Sequence, residues 1–247
     1  MPKSLLRQQL NLSEAVEDYL KAIYHLREAL LRAGEAQPRV TTMALAHALG
    51  VAPGSVTGMI KKLADEGLVS HKPYYGVELT ATGERLALEL VRHHRLLELY
   101  LTRVIGFGWD EVHDQADALE HAISEEFEER IDLLLGCPKV DPHGDPIPTK
   151  DGELVIPTAL PLSAFAPDAA RELTIIRVLT QEPELLRYLG HLGLIPDVRV
   201  TLLGREPFGG PLRLRLDCGA ECEIGPQVAA ALAITIPSPE LEDAIAS

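Results

Sequence analysis

A mainly α-helical chain that closes in a small β domain is what these 247 residues predict, and three observations carry the prediction. Apolar side chains recur at three- and four-residue spacing from residue 13 to about residue 135, the helical period. Pro and Gly then crowd the stretch GCPKVDPHGDPIPTKDGELVIPTALPLSAFAPDAA, which has no sustained period. Beyond it the segments LTIIRVL, VRVTLL and LRLRLDC alternate as half-buried strands do, around one short helix, EPELLRYLGHLG. A small β barrel is the natural reading of that last part.

The helices can be justified in order. Ser13 is a credible N-cap for a first helix over roughly 13–33, with Glu14 and Glu17 in its first turn and Val16, Leu20, Ile23 and Tyr24 on one face. After Gly34 and Pro38, TTMALAHALG and APGSVTGMIKKLADEGLV read as two short helices parted by a turn around Gly50 to Pro53. SHKPYYGVELT follows as a small hairpin, with Val77 and Leu79 alternating after Gly76. Helix, helix, turn, helix, wing is the result. A long helix then spans 81–105, and a second is expected from about Asp110 to Leu135. The expected domain organisation is 1–80 as a winged helix-turn-helix, 81–140 as a helical region, 141–169 as a Pro-rich linker, 170–236 as the barrel and 237–247 as a tail.

Length and composition leave room for a sizeable core and name no transmembrane span. The start MPKSLLRQQL lacks the apolar run of a signal peptide, so the expected location is the cytoplasm, with no membrane partner. Cys137, Cys218 and Cys222 make an odd set that implies no disulfide framework; the last pair fits a strand and turn better than a metal clip. A net charge of −14 argues, taken whole, against a nucleic-acid partner. The average misleads. Residues 1–80 carry 9 Lys and Arg against 8 Asp and Glu, whereas 81–139 stand at −7 and 140–247 at −8.

Two groups of residues carry chemistry. In HDQADALEH, the residues His113, Asp117, Glu120 and His121 stand at i, i+4, i+7 and i+8, so a helix would bring two imidazoles and two carboxylates to one face. That spacing builds metal sites, and it also describes an ordinary solvated stripe. At the second short helix Pro53, Gly54, Ser55, Thr57 and Gly58 crowd the N-terminus, with Lys61 and Lys62 one turn on and Thr42 at the start of the preceding helix. Small and hydroxyl residues there allow close approach to a DNA groove, backbone N–H groups serving phosphates and side chains serving base edges. A winged module that binds protein would solvate its helix with the same residues.

Taken together, EDYLKAIYHL, VAPGSVTGMIKKLADEGLV, YYGVELTATGERLA, VRHHRLLELYL, VHDQADALEHAISEEFEERI and GDPIP, in this order along essentially the whole chain, resemble the metal-dependent repressors related to the diphtheria toxin repressor and the manganese transport regulator. The resemblance implies a winged helix-turn-helix, a helical dimerisation domain and a C-terminal SH3-like barrel. It implies a principal metal site at Asp18, Asp117, Glu120 and His121. A second would use His94, Glu98 and His113 with a ligand from the barrel, for which Glu184, or Gln181 three residues before it, is the candidate. Asp18 and Asp117 stand where the iron-type members carry Met and Cys, which gives an all-oxygen and imidazole set of the manganese type. Lys21 stands where the manganese regulator has Glu, a departure that bears on whether a closely bridged pair of ions can form.

The function these expectations imply is that of a homodimeric repressor, with no enzymatic activity and no small-molecule substrate. It would bind pseudo-palindromic operator DNA when loaded with Mn(II), turning off metal-uptake genes. Fe(II) is the alternative activator, and Co(II), Zn(II), Cd(II) or Ni(II) can substitute in vitro. A carboxylate and histidine metalloenzyme is the rival from another class; it leaves the helix-turn-helix and wing unexplained.

Overall fold

The computed structural model describes residues 12–72, 76–165 and 170–236. The described residues fall into two compact units, one formed by 12–94, 119–130 and 148–153, the other by 95–118, 131–147 and 154–236. The expected tail at 237–247 lies outside the described residues.

In the first unit, α1 (Glu14–Arg32) buries Val16, Leu20, Ile23 and Tyr24, the stripe expected from spacing. Ser13 occupies the cap position, but its side chain makes no capping bond; its carbonyl accepts from the N–H groups of Val16 and Glu17. Helix α2 (Thr42–Leu49) is capped by Thr41, whose hydroxyl accepts from Ala44 N at 3.1 Å, and it ends at Gly50 in the left-handed conformation. Helix α3 (Pro53–Asp65) starts on Pro53, whose missing N–H costs nothing in a first turn. The two cross at 110°, the angle of a helix-turn-helix pair. Strands β1 (Val69–Lys72) and β2 (Gly76–Leu79) pair antiparallel as the wing, and Val77 N donates to Val40 O at 2.9 Å to close it on the helices.

Helix α4 (Ala81–Tyr100) runs from the first unit into the second, changing over after His94, and ends in a π-helical turn, Leu101–Ile105, closed by Gly106. The next region corrects an expectation. Instead of one helix from Asp110 to Leu135 there are two, α5 (Val112–Leu119) and α6 (Glu125–Leu134). Ser124 breaks the run because its hydroxyl accepts from Phe127 N at 3.2 Å and so caps a new helix. Glu120 and His121 therefore sit in the turn, off the helical spacing that first singled them out.

The second unit contains a six-stranded antiparallel sheet in the order β3-β8-β4-β5-β6-β7. Its strands are β3 (Leu160–Pro161), β4 (Arg171–Val178), β5 (Arg199–Arg205), β6 (Leu212–Leu216), β7 (Glu221–Ile224) and β8 (Leu232–Thr235), joined by α7 (Pro183–Leu192) and a short α8 (Pro226–Ala230). Leu173, Ile175, Val200, Leu202, Leu212 and Leu214 alternate inward and, with Leu186 and Leu189 of α7, form its core. The stretch expected to be linker supplies β3 and the fully buried Leu162, so the barrel begins about ten residues before the boundary read from alternation. Pro161 hid that strand, since proline belongs only at a sheet edge, where β3 lies.

Candidate metal centre and DNA-facing helix

Within the first unit, Asp18 of α1 and the turn residues Glu120 and His121 offer donor atoms that all lie within 4.8 Å of one another. Glu17, expected from the sequence only as a first-turn acid, holds the imidazole from behind: its Oε2 is 2.6 Å from His121 Nδ1, while His121 Nε2 faces Asp18 Oδ1 at 3.0 Å. A carboxylate on one ring nitrogen fixes the tautomer that presents the other to an ion. The hydrogen bond to Glu17, and the charges of Glu120 and Asp18, raise the His121 pKa against the effect of burial. Burial likewise raises that of Asp18, although His121 opposes the shift. An imidazole between two carboxylates thus holds a proton more firmly than a free one, and an ion would compete with that proton.

On the other side of Glu120 the ammonium of Lys21 donates to both carboxylate oxygens, at 2.9 and 2.7 Å, and lies 3.0 Å from Nδ1 of His94. A further group joins α4 to α6. His93, fully buried, sits 3.2 Å from Glu128 Oε2 and 3.7 Å from Glu125 Oε1, and Arg92 Nε donates to Glu128 Oε1 at 2.6 Å. Burial opposes the Glu128 charge, yet His93 and Arg92 hold its carboxyl below the usual range. With Glu89, His93 and Glu125 have ligand spacing, but Arg92 already supplies a positive charge beside Glu128, so the group works as a structural tie.

In the second unit Glu98, Asp141 and His143 form a fully buried set, again within 4.8 Å. The sequence reading named Glu98 and missed the other two, which lie in the turn DPHGD. That turn is shaped by Gly144: its φ is +84°, and a Cβ there would stand 2.1 Å from Ile176 O, so only glycine lets the segment lie against β4. Val178 N donates to His143 O at 2.8 Å and anchors it. His143 Nε2 lies 2.8 Å from the carbonyl of Trp109, which can only accept, so Nε2 carries the proton and Nδ1 is left toward Glu98 Oε2, 3.7 Å away. No hydrogen-bond partner for that Nδ1 is found among the described residues. Around it Arg95 pairs with Asp141 and Asp145, Arg177 pairs with Asp145, and His113 Nδ1 lies 3.2 Å from Glu98 Oε1. Burial alone would depress the His143 pKa, but Glu98 and Asp141 push it up to about 9. Asp141 is driven well above the ordinary carboxylate range by burial, with Asp145 and Glu98 adding to the effect.

The other expected residues are placed as follows. His113 Nδ1 lies 3.2 Å from Glu98 Oε1, and its Nε2 lies 3.7 Å from Asp117 Oδ2. Glu184 is exposed in the first turn of α7 and joins no ligand cluster among the described residues. Gln181 keeps a buried Oε1 for which no hydrogen-bond partner is found there.

On α3 the buried residues Val56, Ile60 and Leu63 hold one face to the core, while Pro53, Gly54, Ser55, Thr57, Gly58, Lys61 and Lys62 are all exposed. A Cβ at Gly54 or Gly58 would meet nothing within 4 Å, so that face is open to a partner. Thr57 donates its hydroxyl to Pro53 O at 3.1 Å and keeps acceptor capacity outward. Thr42, half-buried, opens α2.

Comparison with known proteins gives three consecutive family matches: an iron dependent repressor N-terminal DNA binding domain over residues 11–77, an iron dependent repressor metal binding and dimerisation domain over 80–149, and a FeoA domain over 161–236. The iron-dependent repressor IdeR of Mycobacterium tuberculosis is 31% identical over 211 residues, 81% of this chain and 87% of the relative. The chain belongs to the diphtheria toxin repressor and manganese transport regulator family of metal-dependent transcriptional repressors. Among solved structures of the family, a manganese-dependent transcriptional repressor in complex with manganese superposes with a TM-score of 0.80 at 39% identity, over 90% of this chain and all of that one. The regulator MntR of Lysinibacillus sphaericus is 35% identical over 128 residues, 52% of this chain and 86% of its own. The family's architecture is the one built above, a DNA-binding winged helix, a helical region and an SH3-like barrel.

Proposed function

We propose that this chain is a Mn(II)-activated repressor, with Fe(II) as the second-ranked activator. Asp18, Glu120 and His121 would hold the sensing ion. The observation that carries the reading is the chemistry of that set: hard carboxylate oxygens and one imidazole converge within 4.8 Å, with no thiolate or thioether among them. Such donors suit Mn(II) and give softer metals no added hold. Glu17 would orient His121, and the ion would supply the charge that lets the two carboxylates share one position. Glu98, Asp141 and His143 are proposed as a second, enclosed ion site, supported by donor atoms that converge within 4.8 Å and by a buried His143 Nδ1 for which no hydrogen-bond partner is found among the described residues.

Ser55, Thr57 and Lys61 of α3, with Lys62 beside them, would face the operator. In a homodimer two such helices would stand about one turn of DNA apart, about 34 Å or a multiple, which calls for a pseudo-palindromic site. Exposed Val104, Ile105, Leu133 and Leu134 in the second unit offer apolar surface suited to dimerisation. DNA binding would tighten metal binding by the same factor that metal tightens DNA binding. The test is a mobility shift on DNA from upstream of the chain's own gene, titrated anaerobically with Mn(II), Fe(II), Co(II) and Zn(II). Complex formation at low free Mn(II), reversed by chelator, is expected. A response confined to Zn(II), or binding indifferent to chelator, overturns the reading.

A further inference from the structure

Around Glu120 there are two positions that a cation could fill, and the structure fills one of them with protein. The Lys21 ammonium lies 2.7 and 2.9 Å from the Glu120 oxygens and 3.0 Å from His94 Nδ1, while that same Nδ1 is only 2.7 Å from Glu120 Oε2. One cation is thus held within hydrogen-bond distance of an imidazole nitrogen and both oxygens of a carboxylate. Those are the donors a divalent ion would take. The position is enclosed, since 12% of the Lys21 side chain and 2% of that of Glu120 are exposed.

We propose that Lys21 is a tethered cation that occupies a second ion position beside Glu120, so that this cluster accepts one divalent ion per protomer and not a carboxylate-bridged pair. The inference rests on the reading of Asp18, Glu120 and His121 as the sensing site. Lys21 also removes one unit of the negative charge that attracts the ion, so it sets the response to a higher metal concentration than the bare carboxylates would give. Lysine supplies its single charge from a compact, strongly hydrated head on a long stem, which lets it reach the position without being released.

The test counts ions and reads their coupling in the purified full-length protein. Wild type, Lys21→Glu and Lys21→Met are titrated with Mn(II), bound metal is measured by elemental analysis after desalting, and the electron paramagnetic resonance spectrum is recorded. Wild type is expected to show isolated Mn(II) only. Lys21→Glu should bind one additional ion per protomer and acquire the spectrum of an exchange-coupled pair, while Lys21→Met should bind its first ion several-fold more tightly than wild type. A coupled pair in wild type, which needs no variant to fold, overturns the proposal; so does a folded Lys21→Glu protein that binds its first ion and gains no second. His121→Ala is the separate arm. If it retains metal-dependent DNA binding, the sensing-site reading fails, whereas a coupled wild-type pair together with an inactive His121→Ala protein refutes only the role of Lys21.

Discussion

The cluster at Asp18, Glu120 and His121 and the cluster at Glu98, Asp141 and His143 use the same kinds of donor but differ in access. In the first, 48% of the Asp18 side chain is exposed and 13% of that of His121; in the second, no member exceeds 5% exposure. They also balance charge differently. Lys21 reaches into the first from α1, whereas in the second Arg95 pairs with Asp141 and the His143 pKa is raised to about 9 by Glu98 and Asp141. The lesson is that donor identity does not by itself assign a role. An ion that must report its concentration has to exchange with solvent, so the open cluster suits sensing. A fully buried ion exchanges slowly and is better placed to stiffen the turn that carries His143.

This contrast can be broken at several points. Glu17→Gln leaves every proposed ligand in place but loosens His121, and loss of such an orienting carboxylate costs roughly 10- to 100-fold in metal affinity. The Mn(II) concentration for half-maximal DNA binding should rise by that factor, and an unchanged midpoint would mean that Glu17 does not orient the ring. In the enclosed cluster the effect should appear in stability instead. His143→Ala strands buried carboxylates without their proton carrier, a loss of about 3 kcal/mol by comparison with other broken buried pairs. Its melting temperature should fall by several degrees while the Mn(II) midpoint for DNA binding moves less than that of Glu17→Gln.

A pH series sharpens the same point. The folded-state pKa of His143 is raised to about 9 from 6.5, so its protonation stabilises the fold fully below about pH 6.5. That contribution is lost as pH rises toward 9. Thermal melts of metal-free protein should therefore show a decline over this window that His143→Ala lacks, and Mn(II) should restore stability at the alkaline end. No decline in wild type would remove the proton from the account. The His121 pKa is also raised; a proton there competes with the ion, so the open cluster should bind Mn(II) more weakly as pH falls. The smallest effect belongs to the DNA face. Lys61→Ala should weaken binding to all sequences alike and reduce the salt slope by about one, as the loss of one phosphate contact does. A change confined to one base position would recast Lys61 as a base contact.

Much of this molecule was legible in the sequence because its helices follow the 3.6-residue period and its strands alternate. Leu20, Ile60 and Leu202 are each buried on the face their spacing assigned. Asp18, Glu120 and His121 were legible as candidates through the family resemblance, although the helix expected to align Glu120 and His121 ends at Leu119. Ser124, a capping residue followed by Glu125, Glu126 and Glu128, was the local signal for that break. Glu17 was read only as a first-turn acid, because its partner His121 lies 104 residues away. His143 and Asp141 stood in a Pro and Gly stretch that looked like linker. A histidine between two aspartates in DPHGD is unusual for a spacer, and it was the one sign available there. Lys21 was visible as a departure, but its grip on Glu120 and His94 depends on distances that no spacing encodes.

The central claim is that filling the Asp18, Glu120 and His121 cluster switches on DNA binding. The direct measurement is the fluorescence anisotropy of a labelled upstream DNA fragment with wild type and His121→Ala, in chelator and in saturating Mn(II), at one fixed salt concentration. Equal, weak binding by both proteins in chelator is expected, followed by at least a tenfold tightening with Mn(II) for wild type and no change for His121→Ala. The claim is contradicted if wild type binds as tightly in chelator as in Mn(II), or if His121→Ala responds to Mn(II) as wild type does.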